Sequence, residues 1–293
     1  MNNASSVNKS NTKNIPKIPK SILVTGKLLQ TIAPPLATKF ALKLFSTPIK
    51  FKVPEREKMM AKSAQQDLVL IPELQEYVNI FTYGYSKRKV LLVHGWSGRN
   101  TQFFKISDKL LENGFMTIGY DAPAHGKSSG KTSNMTEFIA VNKFLQEKYG
   151  PFEIVIGHSL GGMAVLNSMQ QFLNVKKAIV IGSGNIITHI IEDFIAKIQL
   201  KEQQVVKMKS FYLKKFGKDI DEYSSHIAAK DIKTPTLVIH DTEDKEVPIT
   251  CAYEIRKKLE FGELLVTSGL GHTRILKDNS VVTKIIDFIK KEV

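Results

Sequence analysis

The sequence is poor in several things. It has one cysteine, Cys251, in 293 residues. No intrachain disulfide can form, which fits a reducing compartment such as the cytoplasm. It has one tryptophan, Trp96. It has no uninterrupted apolar run of the roughly 20 residues that a membrane-spanning helix needs. The most apolar early stretch, residues 22–45, is broken by Lys27, Pro34, Pro35, Lys39 and Lys43. That stretch also begins too late for a secretory signal, and no small-residue cleavage site follows it. Acidic residues are scarce at the start: residues 1–62 hold twelve Lys or Arg against Glu55 and Glu57, a net +10 of the total +14. The rest of the chain carries only +4. The basic character therefore belongs to an N-terminal arm. No cluster of metal-ligating residues stands out, so no metal or cofactor is expected.

What is present suffices for a large core. Hydrophobic residues make up 42%, which excludes global disorder. The length allows one α/β domain with an insertion, or two small domains. Residues 1–20, rich in Asn, Ser, Lys and Pro, are expected to be a disordered tail. Residues 21–62 read as a basic helical arm. Two short helices occupy 21–46, parted at Pro34-Pro35, and Leu36, Phe40 and Leu44 recur at i, i+4, i+8 in the second. From residue 63 to 293 strands and helices alternate. Strands are expected at 67–71, 77–83, 89–93, 115–120, 154–156, 178–181, 236–239 and 264–267. Helices are expected at 101–112, 134–149, 160–172, 249–259 and 280–291. This alternation implies crossover connections and a mostly parallel, twisted sheet flanked by helices. The alternation lapses between about 185 and 233. There the pattern is helical (187–200, 202–216), as for an excursion above the sheet.

The sharpest chemical signal is Gly157-His158-Ser159-Leu160-Gly161, set between an expected strand and an expected helix. A serine on so tight a turn needs glycine neighbours, and the turn holds its hydroxyl out at the C-terminal edge of the sheet. The helix N-terminus beside it offers free N–H groups to a developing oxyanion. A glycine-rich turn with an incidental serine is the bland alternative.

Such a hydroxyl needs a base. Among seven histidines, His272 lies in Ser268-Gly269-Leu270-Gly271-His272, a loop between the last strand and the closing helix. Its order after Ser159 and its place near the C-terminus select it. The acid that orients it should follow the 236–239 strand, where Asp241, Glu243 and Asp244 compete. Asp244, deeper in the loop before Val247-Pro248, is the choice. Two backbone donors complete an oxyanion hole: the N–H of Leu160, and that of Trp96 in His94-Gly95-Trp96-Ser97-Gly98 after the 89–93 strand. The Trp96 side chain reads equally well as a pocket wall or as core packing.

Five motifs in this order resemble the α/β-hydrolase superfamily over residues 66–293. They are His94-Gly95, the Asp121 to Ser128 loop, Gly157 to Gly162, the Asp244 loop and Gly271-His272. The resemblance implies an α/β-hydrolase fold, with 185–233 as the helical cap that lines the substrate pocket. It implies a structural role for Asp121 to Ser128. The Gly-His-Ser-Leu-Gly form is similar to esterases and acylglycerol lipases, and differs from the Gly-Gly-Ser-Trp-Gly of proline iminopeptidases. The expected activity is hydrolysis of a small-molecule acyl ester through an acyl-enzyme on Ser159. Thioester hydrolysis and acyl transfer share the machinery, and an inert binding protein on the same fold is the rival of another class. For the arm, residues 21–62, two readings stand: peripheral contact with an anionic membrane, or docking on the hydrolase body. Nucleic-acid binding is not expected, because the arm lacks interleaved aromatics and any known fold motif for it.

Overall fold

The residues Val90, Leu91, Leu92 and Val93 are all buried, because the strand that carries them, β3 (Lys89–Val93), has a layer of helices on each face. The computed structural model describes residues 18–292. Its sheet has eight strands: β1 (Gln65–Ile71), β2 (Glu76–Tyr83), β3, β4 (Met116–Asp121), β5 (Ile154–His158), β6 (Lys177–Ile181), β7 (Thr236–Asp241) and β8 (Gly262–Thr267). They lie in the order β1-β2-β4-β3-β5-β6-β7-β8. β2 runs antiparallel to β1 and β4, and β3 to β8 are mutually parallel. All eight strands expected from the sequence are present. The parallel strands point their C-terminal ends to one edge, where a doubly wound sheet places its functional loops.

Twelve α-helices accompany the strands among the described residues: α1 (Lys20–Ile32), α2 (Pro34–Ser46), α3 (Lys58–Ser63), α4 (Phe104–Glu112), α5 (Met135–Tyr149), α6 (Leu160–Gln171), α7 (Ile187–Lys197), α8 (Gln203–Phe216), α9 (Ser225–Ala228), α10 (Thr250–Lys258), α11 (Gly271–Arg274) and α12 (Asn279–Lys290). Alternate side chains of the central strands β3 and β5 feed opposite cores. Leu91, Val93 and Val155 join Phe138, Leu145 and Leu166 of α5 and α6 on one face. Val90, Leu92, Ile154 and Ile156 join Ile106, Leu110, Val281 and Ile285 of α4 and α12 on the other. Each such side chain contributes about 1.5–3 kcal/mol by leaving water. The start of α5 is fixed by Asn134, whose side chain accepts from the amides of Thr136 and Glu137.

α7, α8 and α9 form the helical excursion above the sheet, between β6 and β7. The N-terminal arm lies against it. Ala41 of α2 packs with Ile191, Ile195 and Met208, and the Thr38 hydroxyl donates to Gln204 Oε1 at 2.6 Å in a buried contact. The buried face of α2 is Ala37, Thr38 and Ala41, while Leu36 is half exposed. This corrects the stripe Leu36, Phe40 and Leu44: the small side chains let α2 approach α8 closely, so the helix is turned about one position from where its largest apolar residues alone would set it. Most of the expected disordered tail, residues 1–17, lies outside the described residues. Ile18 is already partly buried against the cluster of α2, α7 and α8, and Lys20 opens α1. The short helix α3 and the 3-10 turn Glu55–Glu57 before it carry no clear signal in the sequence.

Candidate active site

β5 runs into a turn at Ser159, which α6 leaves at once. Ser159 has φ 54° and ψ −122°, a left-handed backbone that costs a non-glycine residue about 1–3 kcal/mol and persists only where its surroundings impose it. Its amide donates to Ile181 O at 2.9 Å, and its carbonyl accepts from the Gly162 amide at 2.9 Å. The crowding explains the glycines. A Cβ on Gly161 would stand 2.1 Å from Val93 O, and one on Gly95 would stand 2.7 Å from Ser159 Cβ. Leu160 is the first residue of α6, so its N–H has no acceptor within the helix.

Two further loops reach the same edge. β7 leads to Asp244, and β8 leads through Gly269 to His272 in α11. The His272 Nδ1–H donates to Asp244 Oδ2 at 2.7 Å. The Asp244 side chain is 1% exposed, and its other oxygen, Oδ1, accepts from the amides of Glu246 at 2.8 Å and Val247 at 2.9 Å. Burial disfavours the Asp244 carboxylate, but the His272 bond and these amides outweigh it and hold its pKa below the ordinary carboxylate range. Burial likewise disfavours charge on His272. The bonded Asp244 carboxylate, with Glu246 nearby, outweighs it and raises the imidazole above its ordinary pKa. Glu246 Oε2 lies 3.8 Å from His272 Nε2.

The elbow and the imidazole loop touch. The His158 Nε2–H donates to the His272 carbonyl at 2.9 Å, and the two rings are 4.7 Å apart. Burial, with His272 close by, lowers the His158 pKa to about 3, so the ring is a neutral donor. Gly182, next to the Ile181 that Ser159 bonds, has φ +56°, and a Cβ there would lie 3.3 Å from His272 Nδ1. Ser159, His272 and Asp244 therefore gather at one rim, with Asp244 and His272 in direct contact. The other two candidate acids do different work. Glu243 is exposed and bonds the Ser268 hydroxyl at 3.3 Å. Asp241 is buried and accepts from the Thr267 hydroxyl and from the amides of Leu270, Gly271 and Glu243.

Trp96 sits on the loop after β3, next to the Gly95 that lies against the elbow. Two neutral histidines brace that loop. His94 Nε2 accepts from the Ala122 amide at 2.9 Å, and its Nδ1–H donates to Gly95 O at 2.7 Å. His125 Nε2 accepts from the Ser97 amide at 3.1 Å, and its Nδ1–H donates to Pro123 O at 2.9 Å. Burial lowers His94 to a pKa of about 4 and His125 to about 3. The Asp121 carboxylate accepts from the amides of Asn100 and Lys127 and ties the two loops together. The half-buried Trp96 ring meets His125 edge-on at 5.2 Å. Three of the five non-glycine residues with positive φ among the described residues, Ser97, Ala124 and Ser159, lie on these site loops.

The arm completes the support. Glu57, 3% exposed at its side chain, accepts from Arg99 Nε at 2.7 Å, Arg99 Nη2 at 3.0 Å and the Thr101 hydroxyl at 2.9 Å. The Ile49 amide donates to Ser97 Oγ at 2.9 Å. Sequence reasoning missed Glu57, His158 and Asp241 as supports of the site. His158 stood inside the motif at the end of an apolar strand, which marked it as buried and therefore in need of a partner.

Comparison with known proteins agrees with this architecture. Residues 89–212 match the family described as alpha/beta hydrolase fold, and residues 219–291 match the family described as TAP-like protein. An AB hydrolase superfamily protein of Bacillus subtilis, YisY, is 22% identical over 258 residues, covering 72% of this chain and 95% of the relative. Among solved structures, an esterase of Pyrococcus furiosus superposes with a TM-score of 0.63 at 18% identity, covering 83% of this chain and 98% of that one. A bromoperoxidase of Bacillus anthracis superposes with a TM-score of 0.60 at 14% identity, covering 78% and 100%. At these identities structural likeness speaks for the fold, and the different chemistries of the two neighbours leave the reaction to the site itself. Sheet order, elbow and the two sequence families converge: the chain belongs to the α/β-hydrolase superfamily.

Proposed function

We propose that the protein is a serine hydrolase of carboxylic esters. Ser159 is the nucleophile, His272 the general base, and Asp244 the acid that orients it. The observation that carries this reading is the 2.7 Å bond from His272 Nδ1 to a buried Asp244 oxygen, at the rim where Ser159 sits on its strained turn. That bond fixes the imidazole tautomer, leaving Nε2 unprotonated and able to take a proton.

In the first half-reaction Ser159 Oγ attacks the acyl carbonyl while Nε2 of His272 takes its proton. Negative charge develops on the carbonyl oxygen, where the N–H groups of Trp96 and Leu160 receive it. The tetrahedral intermediate collapses, and His272 hands its proton to the leaving alkoxide. Water repeats the sequence on the acyl-enzyme and releases the acid. The neutral His94 and His125 hold the Trp96 loop without adding charge to the site, and the cap supplies the walls of the acyl pocket.

The test is turnover of p-nitrophenyl acetate together with labelling by a fluorophosphonate. The expected result is labelling of the wild type, no labelling of Ser159→Ala, and loss of turnover in that variant. A Ser159→Ala protein with wild-type turnover ends the reading. A well-folded wild type that neither turns over nor labels would point to the inert binding protein instead.

A further inference from the structure

α1 turns one side toward the cap and leaves the other in water. On the inner side, a Cβ at Gly26 would lie 3.1 Å from Leu200 Cδ2, and Gln30 Oε1 accepts from the Lys201 amide at 2.5 Å. On the outer side, Val24, Leu28 and Ile32 stand one turn apart and are 65%, 57% and 73% exposed. Single exposed apolar residues are ordinary, but three in a row along one helix face are not what a solvated helix carries. Leu36, at the start of α2, continues the exposed apolar series.

Charge is the second observation. Residues 1–54 hold nine lysines and no aspartate or glutamate. Lys20 and Lys27 are exposed on α1 and lie on one flank of the stripe, by helical geometry. Farther on, exposed Ile49, Phe51 and Val53 alternate with exposed Lys50 and Lys52. This segment is attached beside the site, since the Ile49 amide bonds Ser97, the neighbour of Trp96.

From the exposed apolar stripe of α1 and the lysines of residues 1–54, a stretch that holds no acid, we propose that the outer face of α1 and the Ile49 to Val53 segment form a docking surface for an anionic lipid bilayer. The apolar side chains enter the interfacial region, and the lysines meet headgroup phosphates. The charge pattern selects this occupant over a second copy of the chain. Two copies joined through this face would bring lysines against lysines with no carboxylate from residues 1–54 between them, whereas an anionic surface neutralises them. No helix among the described residues is long and apolar enough to cross a membrane, so the contact is peripheral. The inference is independent of the chemistry assigned to Ser159.

The test is co-sedimentation of the full-length protein with phosphatidylcholine vesicles containing phosphatidylglycerol, against pure phosphatidylcholine vesicles. The expected result is binding to the anionic vesicles alone, weakened by added salt. In Val24→Glu/Leu28→Glu/Ile32→Glu the partition coefficient should fall about tenfold or more, with unchanged far-ultraviolet circular dichroism and unchanged p-nitrophenyl ester turnover. Should the triple variant not fold, Leu28→Glu alone gives the same comparison with a smaller drop. The proposal is overturned if the wild type does not sediment with anionic vesicles. It is also overturned if the variants sediment as the wild type does, which would leave the lysines as a non-specific attraction. A wild-type dimer in solution that the triple variant dissolves, without vesicle binding, would reassign the face to self-association.

Discussion

Asp241 ends β7 and Asp244 lies three residues on in the loop that follows, yet only Asp244 reaches the imidazole. Asp244 Oδ2 lies 2.7 Å from His272 Nδ1, while Asp241 accepts from the amides of Leu270 and Gly271, at 3.0 and 2.9 Å, just before that histidine. Asp241 holds the backbone that carries His272, and Asp244 holds the imidazole itself.

The two aspartates should therefore separate experimentally. Asp244→Asn should lower kcat/KM on p-nitrophenyl esters by about 10³–10⁴ through loss of the correct tautomer, far more than its loss of stability accounts for. Asp241→Asn should cost about 1–3 kcal/mol of stability, because buried donors lose a charged acceptor, and should lower kcat/KM less. Steady-state kinetics beside thermal unfolding of both variants measures this, and the reverse ordering would exchange the two roles.

Activity and stability should respond in opposite directions to the titration of His272. Catalysis needs neutral Nε2, so kcat/KM should rise with pH through an apparent pKa above the ordinary imidazole value of about 6.5. The folded-state pKa of His272 is raised, so the stability it contributes is fully present below about pH 6.5 and fades as pH rises through the folded value. Asp244 is depressed, so its contribution is present above about pH 3.9 and fades as pH falls through its lower folded pKa. A pH–rate profile and urea titrations at several pH values test the pair. Glu246→Gln should move the kinetic limb to lower pH, since Glu246 adds negative charge 3.8 Å from Nε2.

Gly95→Ala is a steric probe of the elbow. Its new Cβ would meet Ser159 Cβ at 2.7 Å and His158 O at 3.0 Å. Ser159 and the Trp96 loop must move apart by several tenths of an ångström. A loss of about 10²-fold in kcat is expected from such misplacement, with KM changed less. Single-turnover acylation, which reads the chemical step directly, should show the same loss.

Breaking the Glu57–Arg99 pair should test the arm as part of the hydrolase body. Glu57→Ala strips the buried Arg99 guanidinium of its carboxylate and should cost about 3–5 kcal/mol, and Arg99→Ala should cost less, because Arg56 stays 3.7 Å from Glu57. The double variant should recover part of that loss in a thermodynamic cycle from urea denaturation. Additive losses would show that the two side chains do not act as a pair.

The sheet was legible because each strand carries its own signal. Val90 to Val93 are apolar without alternation, which is the pattern of a strand covered on both faces, and the glycines around Ser159 mark a turn with no room for side chains. The chain order of Ser159, Asp244 and His272 was legible for the same reason: each sits just after a recognisable strand. What escaped was contact between distant segments. Thr38 and Gln204 are separated by 166 positions, and His158 and His272 by 114. Local periodicity carries no information about such pairs. It also favoured Leu36, Phe40 and Leu44 over the small residues Ala37 and Ala41, since it weighs side chains by hydrophobicity and not by how closely they let helices approach.

The segment from α2 to Arg99's partner Glu57 is fastened at its two ends to different parts of the fold, and between them to the loop after β4 through Ser46 and Lys50. At one end Thr38 and Ala41 grip α7 and α8; at the other Ile49 and Glu57 grip the strand-β3 loop. It ties the helices between β6 and β7 to the loop after β3. If those helices swing outward, the tie must travel with them, shed the Thr38–Gln204 bond, or pull on the loop that carries Trp96. The two regions are thereby mechanically linked through a stretch of chain that lies outside the sheet.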